Sequence, residues 1–168
     1  MNSPRLIVSC LLVFLIACAG GCNTPKKRKP EDTQIARFLM EVGPNEYGAT
    51  MRLPKSGTTI SVSPQSHFTE YDILKCDVID NELGKSLVFQ FTPQATRDLY
   101  RLTAVNQGRR IVTSVNGRPI GARRIDTPIG NGYLVTYVEV EGEELVKMAK
   151  DITETSVEMR LELEKMDK

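Results

Sequence analysis

Two side chains in this sequence have the types to act as a nucleophile and its base. Cys76 is the single cysteine beyond the first 22 residues, and His67 is the single histidine. A thiol becomes a useful thiolate only beside a base or a cation, and no other imidazole is available. Their settings favour quieter roles. His67 stands between Ser66 and Phe68 in a polar loop, and Cys76 lies between Lys75 and Asp77, where a short helix is expected to meet a strand. A half-buried structural cysteine fits that position. Metal and phosphate chemistry lack their residues: there is no His-Glu-x-x-His, no paired cysteines, no Gly-x-Ser-x-Gly elbow and no glycine loop before a lysine. Asp77 with Asp80, and Glu143 with Glu144, read as turn, cap and solvated-face carboxylates. The chain therefore reads as a non-enzyme that needs no cofactor.

What remains is binding. Arg109, Arg110, Arg118, Arg123 and Arg124 gather around one expected hairpin, and Tyr133 and Tyr137 lie on the strand that follows. Arg110, Arg118, Arg123, Arg124, Tyr133 and Tyr137 are the candidate partner-binding residues, offering a cationic face to an extended polypeptide or an anionic surface. Charge guarding a sheet edge explains the arginines equally well.

The first residues set the address. Arg5 precedes an apolar run from Leu6 to Ala17 that is too short to span a bilayer, which takes ~20 apolar residues. The run reads as a secretory signal peptide ending in small residues. Leu15-Ile16-Ala17-Cys18 resembles the lipobox of bacterial lipoproteins, and Ala19-Gly20-Gly21-Cys22 fits it more loosely. The resemblance implies cleavage before the cysteine and acylation of Cys18, with Cys22 as the alternative. An ordinary secreted protein cut at small residues is the remaining reading. Residues 1–17 (or 1–21) are then leader, 18–35 a flexible basic linker, and 36–168 one folded domain. The expected location is the cell envelope, membrane-anchored by lipid and facing the periplasm or exterior.

About 150 residues remain after cleavage, enough to bury a core without a disulfide framework. The 22 basic and 21 acidic residues leave a net charge of +1, so no global field points to nucleic acid. Positive charge concentrates locally, at Lys26-Lys27-Arg28-Lys29 between Pro25 and Pro30. Beside anionic headgroups, each such residue adds on the order of 1 kcal/mol to a lipid anchor.

Within the domain, strands are expected at Arg37–Gly43, Met51–Leu53, Ile60–Val62, Asp77–Asp80, Ser86–Thr92, Ile111–Val115, Arg118–Ile125 and Tyr133–Val140. Leu87, Phe89 and Phe91 alternate with Val88 and Gln90, as a half-buried strand requires. Thr69 and Asp72 form a capping-box signal for a short helix. Thr92-Pro93 supplies a hydroxyl cap and a proline at the first helical position, and Gly108 ends that helix. Asn116-Gly117 is the strongest hairpin signal, because both residues tolerate the positive φ of a type I′ turn. A last helix begins at Glu143, with Leu145, Met148, Ala149, Ile152, Ser156, Met159 and Leu163 on one stripe. Its end, from Val157, can project past the sheet or pair with a partner, and a solvated, fraying terminus is the expected state of the tip. The fold class is α+β: a mostly antiparallel sheet of short strands with two or three helices packed on one face.

The order of these motifs resembles the head of the first periplasmic domain of SecD, in the SecDF export-motor family. Phe91-Thr92-Pro93-Gln94-Ala95, Leu102-Thr103, Asn106, Gly108-Arg109, Ile111-Val112, Asn116-Gly117-Arg118-Pro119, Gly130-Asn131-Gly132 and Glu143-Glu144-Leu145 follow its order, and the stretch from Ile60 to Val78 resembles the entry to that head. One departure is Ala122-Arg123, where the family often has Ala-Pro. SecD's membrane helices have no counterpart, so motor activity is not implied. The resemblance implies a role in contacting an emerging polypeptide or a Sec-related envelope partner. Two rivals remain open: a structural envelope lipoprotein assembling through its C-terminal helix, and an enzyme using Cys76.

Overall fold

The computed structural model describes residues 30–81, 84–140 and 142–166. The leader, Cys18, Cys22 and the basic cluster at 26–29 lie outside the described residues. The strands are β1 (Ala36–Met40), β2 (Ala49–Arg52), β3 (Thr59–Val62), β4 (Ile73–Asn81), β5 (Gly84–Phe91), β6 (Arg110–Val115), β7 (Arg118–Arg124) and β8 (Tyr133–Val138). Helix α1 (Pro93–Val105) joins β5 to β6, and α2 (Gly142–Met166) follows β8. Six strands form one antiparallel sheet in the order β1-β6-β7-β8-β5-β4, while β2 and β3 form a separate hairpin. This is the expected α+β architecture.

Local chemistry sets most boundaries. The Thr92 hydroxyl accepts from the Ala95 N–H at 3.2 Å, with Pro93 in the first turn. Asn116 and Gly117 turn the β6–β7 hairpin at φ 49° and 78°. The Thr69–Asp72 signal behaves differently. Asp72 does accept from the Thr69 N–H at 2.9 Å, yet only one 3₁₀ turn forms over Glu70–Asp72. Strand β4 begins at Ile73 rather than at Asp77, because Ile73 already pairs with Phe91 at the far end of β5. Ladder pairing along β5 outweighs the local helical preference.

Alternation along the strands splits the core into two layers. Ala36, Phe38, Met40, Ile111, Leu87, Phe89, Phe91 and Leu134 pack with Ala95 and Leu99 of α1 and Leu145, Ala149 and Ile152 of α2. Both helices thus cover one face. Leu39 and Val112 point the other way and meet Leu53, Ile60 and Val62 of the β2–β3 hairpin. The tip of that hairpin is held by Glu139, whose carboxylate accepts from the Lys55 and Ser56 N–H groups at 2.7 and 2.9 Å.

Helix α2 keeps Leu145, Ala149, Ile152 and Ser156 buried as expected, but the stripe then leaves the domain. Leu163 is 46% exposed and Met166 83%. Asp151 and Thr155 are buried as well, on a flank that periodicity assigns to solvent. The cause is the chain's own entry segment. Lys147 bridges Asp32 and Asp151 at 2.9 and 2.7 Å, and Thr155 accepts from the Gln34 N–H at 3.1 Å. The polypeptide is thus tied to the domain from Asp32 onward.

Candidate functional site

The possible nucleophile and its base are not brought together. His67 lies with Phe68 against Asp98, Arg101, Leu102 and Val105 of α1, whereas Cys76 lines a cleft with α2. Cys76 is buried, and that burial, with Asp77 beside it, pushes the thiol far above its ordinary range. Both effects act against the thiolate that a nucleophile needs. Among the described residues no group of three or more metal-ligating side chains converges.

What Cys76 contributes is backbone. Its N–H donates to the Thr153 hydroxyl at 2.9 Å, and that hydroxyl in turn lies 3.1 Å from the Cys76 carbonyl and 3.0 Å from that of Ala149. One side chain of α2 thus satisfies the outward edge of β4 at this point. Thr153→Val keeps the shape and removes the oxygen, leaving a shielded N–H and C=O without partners. The expected loss is about 2–3 kcal/mol, measured by urea denaturation; a loss below ~0.5 kcal/mol contradicts the assignment.

The arginines do not form one cationic face. Arg110 makes a forked pair with Glu41, its Nε donating at 2.9 Å and its backbone N–H at 2.8 Å to the same carboxylate oxygen. The Arg110 side-chain hydrogen bond is the main reason the Glu41 carboxyl sits below its usual range, against the opposing effect of partial burial. Arg109 forks onto Glu46 in the same way, at 3.1 and 2.9 Å. Arg124 lies 3.5 Å from Asp126, with both side chains exposed. Arg123 donates to the Val135 carbonyl at 3.2 Å, where β7 no longer pairs with β8. Arg118 stands at the opposite end of the hairpin, exposed, beside a cleft lined by Lys55, Pro119, Glu139 and Glu144. Six residues of β6, roughly 20 Å of strand, separate the two ends. Glu41 and Glu46 were missed as partners because neither lies near the arginines in sequence.

Tyr133 and Tyr137 do share a surface. They alternate with the buried Leu134 and Thr136, so they and Val135 point away from the helices. The register extends this surface over three strands. Tyr133, Gln90 and Lys75 form one row; Val135, Val88 and Asp77 the next; Tyr137, Ser86 and Ile79 the third. Tyr133 and Tyr137 are 44% and 42% exposed. Ser86, fully buried in its row, has a hydroxyl with no partner among the described residues. The β2–β3 hairpin packs over Leu39, Val112 and Ala122, on β1, β6 and β7. Among the described residues, the β8-β5-β4 half of this face is left open, with Tyr133, Tyr137 and Ile79 exposed.

The outer sheet edges are guarded to different extents, β1 along its length and β4 only at Cys76. Residues 63–68 run along β1, with bonds from Phe38 N–H to Phe68 at 3.1 Å, His67 N–H to Phe38 at 2.8 Å and Ser63 N–H to Met40 at 2.8 Å. At β4 the guard is Thr153.

No family model matches the sequence, and neither does any curated protein. Solved structures do. One is SecDF, a membrane component that enhances protein export, with a TM-score of 0.57 at 17% identity, over 72% of this chain and 62% of that one. A second, SecDF in a super-membrane-facing form, gives 0.56 at 20% identity, over 71% of this chain and 18% of that one. The chain therefore spans less than two thirds of either. The folded body has a SecD-like domain fold, as the motif order led us to expect.

Proposed function

We propose that this chain is a non-catalytic, lipid-anchored envelope protein whose SecD-like domain binds a polypeptide in connection with protein export. The observation that carries the binding role is the open half-face of the sheet, where Tyr133, Val135, Tyr137, Val88 and Ile79 present aromatic and aliphatic surface beside the Lys75–Asp77 ion pair. Amphipathic tyrosines on a rigid strand give contact area at low entropic cost, and exposed apolar surface rimmed by charge marks interaction sites. The anchor reading rests on Leu15-Ile16-Ala17-Cys18, with Cys22 as the alternative acceptor. A benzophenone side chain at Tyr137, in the native envelope, tests the binding face against one at the exposed Tyr100 of α1. Polypeptide adducts at Tyr137 but not at Tyr100 support the reading; lipid and self adducts alone refute it.

A second reading has its own observation. Met159, Leu163 and Met166 continue the three- and four-residue steps of the buried α2 seam beyond the domain body. Assembly through that stripe predicts concentration-dependent association that disappears on truncation after Ser156.

A further inference from the structure

The backbone of β4 narrows the kind of polypeptide contact. In an antiparallel ladder, residues alternate between facing the paired strand and facing away. Cys76 faces away from β5, because both its N–H and its C=O meet Thr153. The register from Lys75 to Asn81 is unbroken, so Val78 and Asp80 face outward too. The N–H groups of Val78 and Asp80 therefore face the outer edge, where the sheet has no further strand among the described residues. Beside this edge runs a cleft of about 480 Å³, with Lys75–Val78 along one wall and Val146, Ala149, Lys150, Thr153 and Glu154 of α2 along the other. Val146 is 59% exposed there. An edge strand with a helix running beside it is the arrangement in which an extended peptide can add as a further strand.

The hydrogen-bonding chemistry of the occupant is already displayed. The Thr153 hydroxyl bonds Cys76 as one amide of a neighbouring strand would, and the next outward residue has no such plug. Two surfaces also meet at this point. Ile79 belongs to the open tyrosine face, and Val78 turns its side chain to the helix side, where it packs on the main core. A strand laid along Val78–Asp80 would send alternate side chains to the open face and to the Val146 cleft.

We infer that the Val78–Asp80 edge of β4 binds an extended polypeptide by strand addition, with apolar side chains entering the cleft beside Val146. The inference rests on the polypeptide-binding reading above and assigns its site and its main-chain recognition. Because recognition runs through backbone amides, it is tolerant of sequence and selective for unfolded segments.

The test uses the full chain in detergent and a short fluorescein-labelled peptide of alternating valine and threonine flanked by lysines. Val78→Pro removes one outward N–H and leaves the β5 ladder intact, a substitution that edge strands accept. Binding should weaken about tenfold. The same peptide N-methylated at alternate residues should lose binding to the unaltered chain, a result independent of how the variant folds. Equal affinity of the methylated and parent peptides overturns strand addition. So does failure of the parent peptide to bind while Tyr137 still crosslinks to polypeptide, which leaves the broader reading standing. Loss of both the binding and the crosslinks removes the two together.

Discussion

Gly121→Ala is expected to unfold the domain or to remove most of its stability. A Cβ at Gly121 would stand 2.0 Å from the Tyr137 carbonyl oxygen and 3.0 Å from the Val138 Cα, both backbone atoms that cannot swing aside. The position is also the weakest point of the sheet. Strands β7 and β8 share only the Gly121–Val138 and Ala122–Tyr137 pairs, with one further backbone bond from the Glu139 N–H to the Ile120 carbonyl at 2.7 Å, whereas their neighbours share at least five pairs. Two side-chain bonds reinforce that junction. The Thr113 and Thr136 hydroxyls meet at 3.1 Å, joining β6 to β8 past the glycine, and Arg123 takes up the Val135 carbonyl at 3.2 Å. Forcing β8 away breaks all of these at once. The expected loss exceeds about 4 kcal/mol, against a total of about 5–15 kcal/mol for an ordinary domain. Circular dichroism and a urea titration check it. A Gly121→Ala protein with an unchanged midpoint would mean that β7 and β8 do not approach as described.

Phe38→Ala has the second largest expected effect. Phe38 is completely buried at the centre of four phenylalanines, with ring centroids 4.8 Å from Phe89, 5.2 Å from Phe91 and 6.4 Å from Phe68. The first three rings come from β1 and β5, the opposite ends of the chain's first half, and meet because the sheet curls. Truncation removes the transfer energy of a large ring, the edge-to-face contacts and the support of its neighbours, about 3–5 kcal/mol in all. Phe38→Leu retains most of the volume and should cost less than half as much. The midpoint of urea unfolding should fall with the slope unchanged, since surface exposed on unfolding is nearly the same. Equal costs for the two substitutions would contradict this by showing that retained volume contributes nothing and that the ring contacts carry the whole effect.

Much of this fold was legible because its strongest signals are local. The Thr92-Pro93 start and the Asn116-Gly117 turn depend on dihedral preferences and one or two hydrogen bonds each, and both formed where the residues placed them. The alternation of Leu87, Phe89 and Phe91 survives because one face of β5 meets the helices. Thr69–Asp72 did start the short helix its capping box signalled, but for one turn only, since pairing of Ile73 with Phe91 is a long-range fact. Gly121 carried a readable sign, as a glycine inside a strand often marks close backbone approach, but not what it approaches.

The candidate site was half legible. Tyr133 and Tyr137 share a face by strand periodicity alone. The arginines, adjacent in sequence, were dispersed by partners far away in the chain: Glu41 for Arg110 and the Val135 carbonyl for Arg123. Thr153, which guards β4, could not be read at all, because its role depends on α2 passing that edge.

The central claim is that the open β8-β5-β4 half of the sheet meets polypeptide outside the cytoplasm. Its most direct test arrests a secretory chain part-way through export in the native host and irradiates cells carrying benzophenone at Tyr137. The account predicts an adduct that contains the arrested chain and weakens with Val78→Pro. An irradiated sample holding only lipid-linked or self-linked protein, with the arrested chain untouched, would contradict it.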